Sequence, residues 1–461
     1  MRVSPMTPNL AELVMHYDRP GPRYTGYPMP PVWMENFPEA DLKAALKRAD
    51  ADARPLSLYF HLPFCPRRCS YCACNVVVSP TYKPVEDFLQ ALELELDLWA
   101  KGLPNRREVV QLHWGGGTPT YLEVPELQRV FKAITDRFTL QGQAEVSVEV
   151  DPTYLEPDRL PALRELGFNR VSFGVQDLDE RVQELIARGQ TWEQTLTTVK
   201  QARSLGFQGV NLDLVYGLPG QTLDTFRRTL EGTLELAPDR MAIYGFAYLP
   251  KLLAHQRKLP VEALPSPELR LELLILATEL LEKHGYVAIG MDHFARPEDE
   301  MAKALKEGRL IRNFMGYAVA AGSDLLGFGP SAISNVAGVY SQNEKNLARW
   351  ERSVRAGQFA TSKGHRLSGD DLMRRWVIHS LMGTFELRWT TLREHYGVDG
   401  PTHFAEAIQE LKNEEPLGTV EVRDEGIFIT PLGRRFVRNL VQPFDAYLRK
   451  LAPDTAFSRT V

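Results

Sequence analysis

Residues 61–74 read HLPFCPRRCSYCAC and hold all four cysteines of the 461-residue chain. Cys65, Cys69 and Cys72 follow the spacing C-x3-C-x2-C. Three thiolates at this spacing can bind three irons of a [4Fe–4S] cube and leave its fourth iron open to another ligand. Cys74 lies two residues beyond Cys72, too close to join the same cube easily. The segment therefore predicts an iron–sulfur site with one open iron.

A structural zinc site is the main alternative for this segment. Such sites usually take their ligands from two separated pairs of Cys or His, and no second pair is present here. A disulfide scaffold would spread its cysteines along the chain to close loops. Four thiols crowded between Cys65 and Cys74 instead indicate metal binding under reducing conditions.

The rest of the chain has the composition of a globular protein, with 44% hydrophobic and 25% charged residues. Its length predicts two or three folding units. The net charge of -5 and the lack of a Lys/Arg block argue against a nucleic-acid partner. The most apolar stretch, Leu271 to Leu281, contains Glu272 and Glu279, and the first ten residues lack the apolar core of a signal peptide. We expect a cytoplasmic protein without a membrane span.

From residue 56 onward, short apolar runs alternate with longer helical patterns, which is typical of βα units. The predicted strands are Ser57–Leu62, Val109–Trp114, Glu145–Val150, Arg170–Val175, Gly209–Leu214 and Ala242–Ala247. The predicted helices between them are Val85–Lys101, Val124–Phe138, Asp177–Ala187, Thr191–Leu205 and Thr222–Leu236. Six such units predict an α/β fold, a partial (β/α)6 barrel.

Active sites of such barrels lie where the strands end. The cysteines follow the first predicted strand. The later strands end at other polar or glycine residues, namely Gly115 to Gly117, Glu149 with Asp151, Gln176, Asp213 and Tyr248. We expect these residues to surround one site.

Two further regions flank the predicted barrel, which spans residues 51–364. Residues 1–50 are rich in proline and predict an extended arm that lies across another domain. Residues 365–461 predict a small, mostly helical domain of winged-helix type. Its predicted elements are the helices Asp370–Met382 and His403–Lys412, a hairpin of Gly418–Val422 with Gly426–Thr430, and a final helix Leu432–Leu451.

The cysteine spacing, with the aromatic Tyr71 before the third cysteine, resembles the hallmark of the radical S-adenosylmethionine (SAM) superfamily. The resemblance implies that the amino and carboxylate groups of SAM chelate the open iron. One electron from the cluster would then cleave SAM to a 5′-deoxyadenosyl radical. The stretch LHWGGGTPTYL matches a second superfamily motif, in which the glycine triplet binds the methionyl amino group.

Further blocks make the resemblance more specific. They are GPRYTGYP, YFHLPFC, HWGGGTPTYL, VEVDP, VSFGVQD, DLVYGLPGQT, QRKL, GMDHFARP, RNFMGY, DLLGFGPSAIS and FDAYL. In this order they resemble the oxygen-independent coproporphyrinogen III oxidases, which are dehydrogenases of heme biosynthesis. The resemblance implies oxidative decarboxylation of two propionates of coproporphyrinogen III to the vinyls of protoporphyrinogen IX. The radical would remove a hydrogen from the propionate β-carbon.

The resemblance also implies two bound SAM molecules. The first would contact Tyr59, Tyr71, Gly116, Glu149 and Ile333, and the second Gly117, Thr118, Gln176, Arg188, Asp213 and Ala247. Cys74 matches a fourth cysteine that the family uses outside cluster ligation, and we expect it to act in catalysis. Because the substrate carries propionates, Arg23 and Arg312 are candidate substrate ligands. A reduced flavodoxin- or ferredoxin-like electron donor and a monomeric state are also expected.

Several positions depart from the family pattern and replace hydrogen-bonding groups by apolar ones. They include Ala73 in the cysteine segment, Phe246 and Tyr248 where the family commonly reads Tyr-Ala-His, and Met315, Ala318 and Val319 where it reads Gln-Gly-Tyr-Thr-Thr. Such changes would suit a reshaped pocket. They leave two alternatives open: another radical enzyme with two SAM molecules that performs methyl transfer, cyclopropanation or heme opening, and a heme chaperone.

Overall fold

Seven parallel strands form the centre of the computed structural model, which describes residues 10–319, 324–451 and 457–460. They lie side by side in the order β7-β1-β2-β3-β4-β5-β6. Their bounds are β1 Leu56–Leu62, β2 Glu108–Gly116, β3 Thr139–Val150, β4 Arg170–Gln176, β5 Gly209–Tyr216, β6 Arg240–Gly245 and β7 Asp324–Phe328.

The alternation of side chains along β1 places polar residues on the inner face of this sheet. Leu58 and Phe60 are fully buried in the main hydrophobic cluster beneath the helices. Successive side chains of a strand point to opposite faces, so Ser57, Tyr59 and His61 face the inner side. The same alternation brings Gln111 and His113 of β2 and Glu145, Ser147 and Glu149 of β3 to the inner face. We call the space that they line the lumen.

Helices pack on the outer face and connect the strands. Their bounds are Lys83–Gly102, Val124–Thr135, Arg159–Glu165, Glu180–Leu185, Trp192–Ser204, Leu223–Glu235 and Pro267–Lys283. Two of them begin at the capping boxes Thr191 with Gln194 and Thr222 with Thr225, which satisfy free N–H groups of the first turn. The predicted α/β barrel is confirmed. Three of the elements given so far were not foreseen, namely helix Arg159–Glu165, helix Pro267–Lys283 and β7. Periodicity alone does not distinguish a short apolar run such as β7 from a buried helix segment.

The barrel is partial, because antiparallel strands extend both edges of the sheet instead of closing it. Beside β7 lie Ile333–Val336, Val339–Asn343, Thr361–Arg366 and Met34–Glu35, and beside β6 lie His293–Ala295 and Val287–Ile289. A separate hairpin, Ile311–Asn313 with Gly316–Ala318, comes after the strand His293–Ala295 and before β7 in the sequence. Two further helices are Glu300–Lys306 and Leu347–Arg355.

The C-terminal region contains the helices Gly369–Gly383, Trp389–Tyr396, Gly400–His403 and Ala405–Lys412 and a small sheet of Glu386–Arg388, Gly426–Ile429 and Val420–Arg423. The predicted final helix Leu432–Leu451 is wrong. Short turns replace it, namely Gly433–Phe436, Val437–Leu440, Gln442–Phe444 and Leu448–Lys450. Pro443 lacks an N–H and disfavours helical geometry in the residue before it, which prevents a continuous helix.

The N-terminal arm is only partly extended. Helices Leu10–Tyr17 and Glu39–Ala49 flank its proline-rich middle, so the prediction of a wholly extended arm is wrong for these flanks. In the second helix Leu42, Leu46 and Ala49 form a buried apolar face, which favours a helix. Three aromatic side chains of the arm, Tyr17, Tyr24 and Tyr27, are fully buried in one hydrophobic cluster with the C-terminal region. In the described residues, every helix is too short or too polar to cross a membrane.

Candidate functional site

The four cysteines lie on the loop that follows β1, and none forms a disulfide. Backbone hydrogen bonds fasten both ends of this loop: Cys65 N donates to Val77 O at 3.1 Å, and Val77 N donates to Pro63 O at 2.7 Å. The middle of the loop is held from outside, because Gln256 Nε2 donates to the Tyr71 carbonyl at 3.0 Å. The loop is therefore held against the carboxyl ends of the strands, which we call the rim.

The thiols suit an iron–sulfur cluster better than a single ion. In residues 10–319, 324–451 and 457–460, no three His, Cys, Asp or Glu side chains converge closely enough to bind one metal ion. A [4Fe–4S] cube does not need three side chains to converge on one point, because each cysteine binds a different iron. Arg188 Nη1 lies 3.8 Å from Cys69 Sγ, and Cys74 N lies 3.4 Å from Cys72 Sγ. These donors point at sulfur atoms that would be thiolates in a cluster.

Arg188 connects the cysteine loop to the strand ends. It is buried, and its Nη2 donates to Asp151 Oδ1 at 2.9 Å and to the Gly174 carbonyl at 2.6 Å. Its Nη1 lies 3.4 Å from the Tyr71 hydroxyl. The planar guanidinium can contact several such acceptors at once. Arg188 therefore fixes the loop relative to the ends of β3 and β4.

The glycine triplet lets the end of β2 approach both the cysteine loop and β3. Gly116 has φ +117°, a conformation that side chains rarely adopt, and its N–H donates to Glu149 Oε2 at 3.1 Å. A Cβ at Gly117 would clash with the Phe64 carbonyl. The backbone of the triplet therefore packs directly against the cysteine loop and the Glu149 carboxylate, with no room for side chains between them.

Two acidic side chains face the lumen at the rim, and their pKa values are shifted in opposite directions. Burial raises the pKa of Glu149, but the hydrogen bond with His113 Nε2 at 3.2 Å and the Gly116 N–H together hold that pKa below its ordinary value. Burial raises the pKa of Asp213 to about 6. Asp213 accepts from Ser172 and Asn211, each at 2.8 Å. Asp213 lies inside β5 rather than at its end, because the strand continues to Tyr216.

The other predicted cofactor residues also lie around the rim. The Tyr59 ring stacks on the His113 ring, with 5.9 Å between the ring centroids. Tyr59 is paired in the sheet with Gly327 of β7. Gly327 in turn lies against the backbone of Ile333. Thr118 Oγ1 accepts the Asp151 N–H at 3.1 Å. Three further positions follow or end strands: Gln176, with φ +69°, ends β4, and Ala247 and Tyr248 follow β6.

The two candidate substrate arginines do not share a cavity. Arg312 lines a cleft of about 710 Å³ beside the hairpin Ile311–Ala318. Arg23 Nη2 donates to the Gly245 carbonyl at 2.7 Å and lines a much smaller cavity of about 40 Å³. The structure places the two candidates in separate cavities, and their assignment as substrate ligands stays a prediction.

The positions that depart from the family pattern fall into two groups. Phe246, Tyr248 and Tyr71 contribute to one small hydrophobic cluster beside the cysteine loop. On the hairpin, Met315 lines the lumen and Val319 packs against a separate apolar cluster, while Ala318 is buried. Exposed Ala73 adds no polar group to the loop.

The opposite end of the lumen holds a cluster of ion pairs that the sequence did not indicate. Arg170 and Arg240 are the first residues of β4 and β6. Arg170 Nε lies 3.0 Å from Glu145 Oε2, and Arg240 Nε lies 2.9 Å from Asp299 Oδ1. The cross pairs, Arg170 with Asp299 and Arg240 with Glu145, are 3.5 and 3.6 Å apart. We call these four residues the ion-pair cluster.

Sequence reasoning also missed Arg375 and His379, which line the large cleft from the helix Gly369–Gly383. Their four-residue spacing on a helical pattern was the available signal. A polar helix face is, however, usually assigned to solvent.

Comparison with known proteins gives consistent matches. Residues 59–231 match the family model of the radical SAM superfamily. The chain is 41% identical over 455 residues to oxygen-independent coproporphyrinogen III oxidase of Synechocystis sp., covering 98% of each protein. It is 42% identical over 449 residues to the Escherichia coli protein of that name, covering 97% of this chain and 98% of the relative. A solved structure described as coproporphyrinogen III oxidase (HemN) from Escherichia coli superimposes with a TM-score of 0.90 at 40% identity, covering 96% of this chain and 100% of that one.

Proposed function

The chain belongs to the oxygen-independent coproporphyrinogen III oxidases of the radical SAM superfamily, and from this membership we propose how its residues serve the reaction. It is an oxidoreductase of heme biosynthesis that decarboxylates two propionates of coproporphyrinogen III to vinyls. The observation that carries this conclusion is the loop of three free cysteines at the rim of a polar lumen. When bound, the cluster and SAM supply the 5′-deoxyadenosyl radical that takes a hydrogen from a propionate.

Cys65, Cys69 and Cys72 hold the cluster. Two neighbours orient these ligands: Arg188 approaches the Cys69 sulfur, and the Cys74 N–H approaches the Cys72 sulfur. Hydrogen bonds to ligating sulfurs tune the reduction potential of such clusters. Because the Cys74 thiol also approaches the Cys72 sulfur, we propose that Cys74 acts on the reaction as a positioning residue, through Cys72.

Two SAM molecules bind side by side at the rim. The first contacts Tyr59, Tyr71, Gly116, Glu149 and Ile333, and the second contacts Gly117, Thr118, Gln176, Arg188, Asp213 and Ala247. Support comes from Glu149, whose side chain is 44% exposed to the lumen and whose lowered pKa keeps it an acceptor for amino or hydroxyl groups. Asp213 offers a second acceptor on the same inner face. Arg188 pairs with Asp151 through Nη2, which leaves its Nη1 directed at the cysteine loop.

The electron donor is a small acidic protein of the flavodoxin or ferredoxin type. Support comes from the exposed cations Arg67 and Arg68 on the cysteine loop, because opposite charges steer such encounters. We expect the enzyme to act as a cytoplasmic monomer without a nucleic-acid partner. Light scattering of the purified chain tests the monomeric state.

The reaction is tested with anaerobically reconstituted protein, dithionite, SAM and coproporphyrinogen III. We expect protoporphyrinogen IX and a tricarboxylic intermediate in the chromatogram. Accumulation of 5′-deoxyadenosine without a vinyl product would contradict the assignment of the substrate. Equilibrium dialysis with SAM tests the second site: two molecules should bind to each chain, and Asp213→Asn should remove only one of them.

A further inference from the structure

The cleft beside the hairpin Ile311–Ala318 lies apart from the residues assigned to SAM. Its volume of about 710 Å³ is in the range of sites that enclose sizeable organic ligands. One wall comes from the hairpin, with Arg312 and Phe314, and the opposite wall from the helix Gly369–Gly383. Met315 and Tyr317 of the same hairpin line the lumen. The same hairpin therefore lines both the cleft and the lumen.

Positive charge in the cleft is not balanced by carboxylates. Within the described part of the chain, Lys306 and Arg375 have no carboxylate within ion-pair distance, and the nearest to Arg312 is Asp292, with Nη1 and Oδ1 3.8 Å apart. Asp292 Oδ1 is already bonded to His293 Nδ1 at 2.7 Å. Glu386, the one acidic side chain that lines the cleft among the described residues, pairs with Arg388 at 3.2 Å. A net positive cleft remains.

Two buried polar groups in this cleft lack hydrogen-bond partners. Arg312 is 6% exposed, and its Nε and Nη1 have none among the described residues. The same holds for Nε2 of His379. Burial, followed by the nearby charges of Arg375 and Arg312, lowers the pKa of His379 to about 3, so these three groups are close together. Unpaired buried donors cost free energy unless a ligand satisfies them.

The helix Gly369–Gly383 presents its polar face to the cleft. Leu372, Arg375, Trp376, His379 and Ser380 line it, at the three- and four-residue spacing of one helix face. The opposite face, with Val377, Ile378 and Leu381, is buried in the hydrophobic cluster. The polar face is thus directed at a cavity rather than at open solvent.

Aromatic rings line the cleft near these cations. Phe314 packs edge-on against Tyr340 at 5.3 Å, and Trp33 stacks on Tyr340 at 5.1 Å. Trp376 lies on the helix side, 5.9 Å from Tyr396. A wide ligand with apolar rings and several carboxylates matches this lining, since the rings suit its body and the arginines its rim.

We propose that the cleft binds the tetrapyrrole substrate and that Arg375 and His379 of the C-terminal region, with Arg312 of the hairpin, bind its propionate carboxylates. The inference rests on the proposed function, which supplies the substrate. It assigns the C-terminal region a direct role in substrate specificity.

The test compares Arg375→Gln and His379→Gln with the parent enzyme in anaerobic steady-state assays. Loss of one charged hydrogen bond should raise the KM for coproporphyrinogen III about ten- to a hundredfold, while kcat at saturation changes by less than about threefold. Arg375→Lys should recover part of the loss because it keeps the charge. Arg393→Gln is the matched control, since Arg393 is exposed on the same region, pairs with Asp399 and does not line the cleft.

A second readout does not depend on turnover. Binding of coproporphyrin III and of its tetramethyl ester is measured by fluorescence for each variant. The parent should bind the free acid more tightly than the ester, and Arg375→Gln should lose that preference. Unchanged KM and unchanged preference in both variants would overturn the inference. If the parent forms no vinyl product, the proposed function fails, yet the binding comparison still decides whether the cleft recognises carboxylates.

Discussion

The two ends of the lumen both carry charged side chains, but they satisfy them differently. In the ion-pair cluster, two acids and two arginines neutralise one another through contacts of 2.9 to 3.6 Å. At the rim, Glu149 is bonded to His113 and to the Gly116 N–H, and Asp213 is bonded to Ser172 and Asn211. Charges that are fully paired hold a structure, whereas acceptors left with spare capacity can bind a ligand. The comparison therefore indicates that the ion-pair cluster stabilises the barrel and that the rim binds ligands.

The largest expected effect is at the rim. Replacing Cys65, Cys69 or Cys72 by Ser should abolish both the visible absorption of the reconstituted cluster and all formation of 5′-deoxyadenosine. Thermal unfolding of the metal-free protein should stay within about 1 kcal/mol of the parent, because backbone bonds fasten the loop. Iron analysis and chromatography measure the two outcomes. A Ser variant that keeps full iron content would show that its cysteine is not a ligand.

The opposite result is expected at the ion-pair cluster. Glu145→Gln leaves Arg170 and Arg240 without one of their two carboxylates, and breaking such a pair should lower the free energy of unfolding by about 3 kcal/mol. SAM binding by the folded protein should not change, since Glu145 is at the far end of the lumen. Chemical unfolding followed by circular dichroism measures the first quantity and equilibrium dialysis the second. If Glu145→Gln weakened SAM binding at unchanged stability, the purely structural role of the ion-pair cluster would be contradicted.

Glu149→Gln is the matched counterpart, because Glu149 lies four residues along the same strand and on the same inner face. The amide loses an ionised acceptor, so SAM affinity should fall by about a hundredfold. Stability should change little, because the side chain makes no ion pair with Lys or Arg and is 44% exposed to the lumen. If Glu145→Gln and Glu149→Gln behaved alike in both measurements, the division between support and binding would be wrong.

The sequence was sufficient for the parts of the molecule that local patterns control. The alternation of short apolar runs with longer helical patterns identified the six βα units, and the cysteine spacing predicted the cluster site. The inner-face arrangement of Glu145 with Arg170, Arg240 and Asp299 was not foreseen. These residues are up to 154 positions apart in sequence, and only the closing of strands into a barrel brings them together.

The prediction was weakest where packing decides the structure. Residues 432–451 have helical composition, but Pro443 interrupts the helix and Asp445 caps the following turn by accepting from Tyr447 N and Leu448 N. The polar face of Gly369–Gly383 resembles an ordinary solvent-facing surface until the hairpin is placed opposite it. The sequence predicted Arg23 and Arg312 as cations that bind the substrate. It did not indicate that they line separate cavities, because these cavities form only in the folded protein.

The two rim acids should also differ in their effect on the pH dependence of stability. Burial raises the pKa of Asp213 to about 6 in the folded state, above its value of about 4 in the unfolded chain. Between these values the folded state holds a proton that the unfolded state has lost, so stability falls as pH rises from about 4 to 6. Asp213→Asn removes this term and should be more stable than the parent by about 2 kcal/mol at pH 7, with no gain at pH 4. Urea unfolding at both pH values measures the difference, and an equal effect at both would contradict the raised pKa.

The smallest expected effect concerns Cys74, whose backbone and thiol both approach the Cys72 sulfur. Cys74→Ala keeps the backbone donor and removes only the thiol. We expect the cluster to assemble with unchanged iron content and turnover to fall by about tenfold, as is usual when a neighbour of a metal ligand is lost. Potentiometric titration followed by electron paramagnetic resonance should show a shifted reduction potential. If iron content falls in proportion to turnover, Cys74 is a ligand rather than a positioning residue, and the distinction between it and the other three thiols disappears.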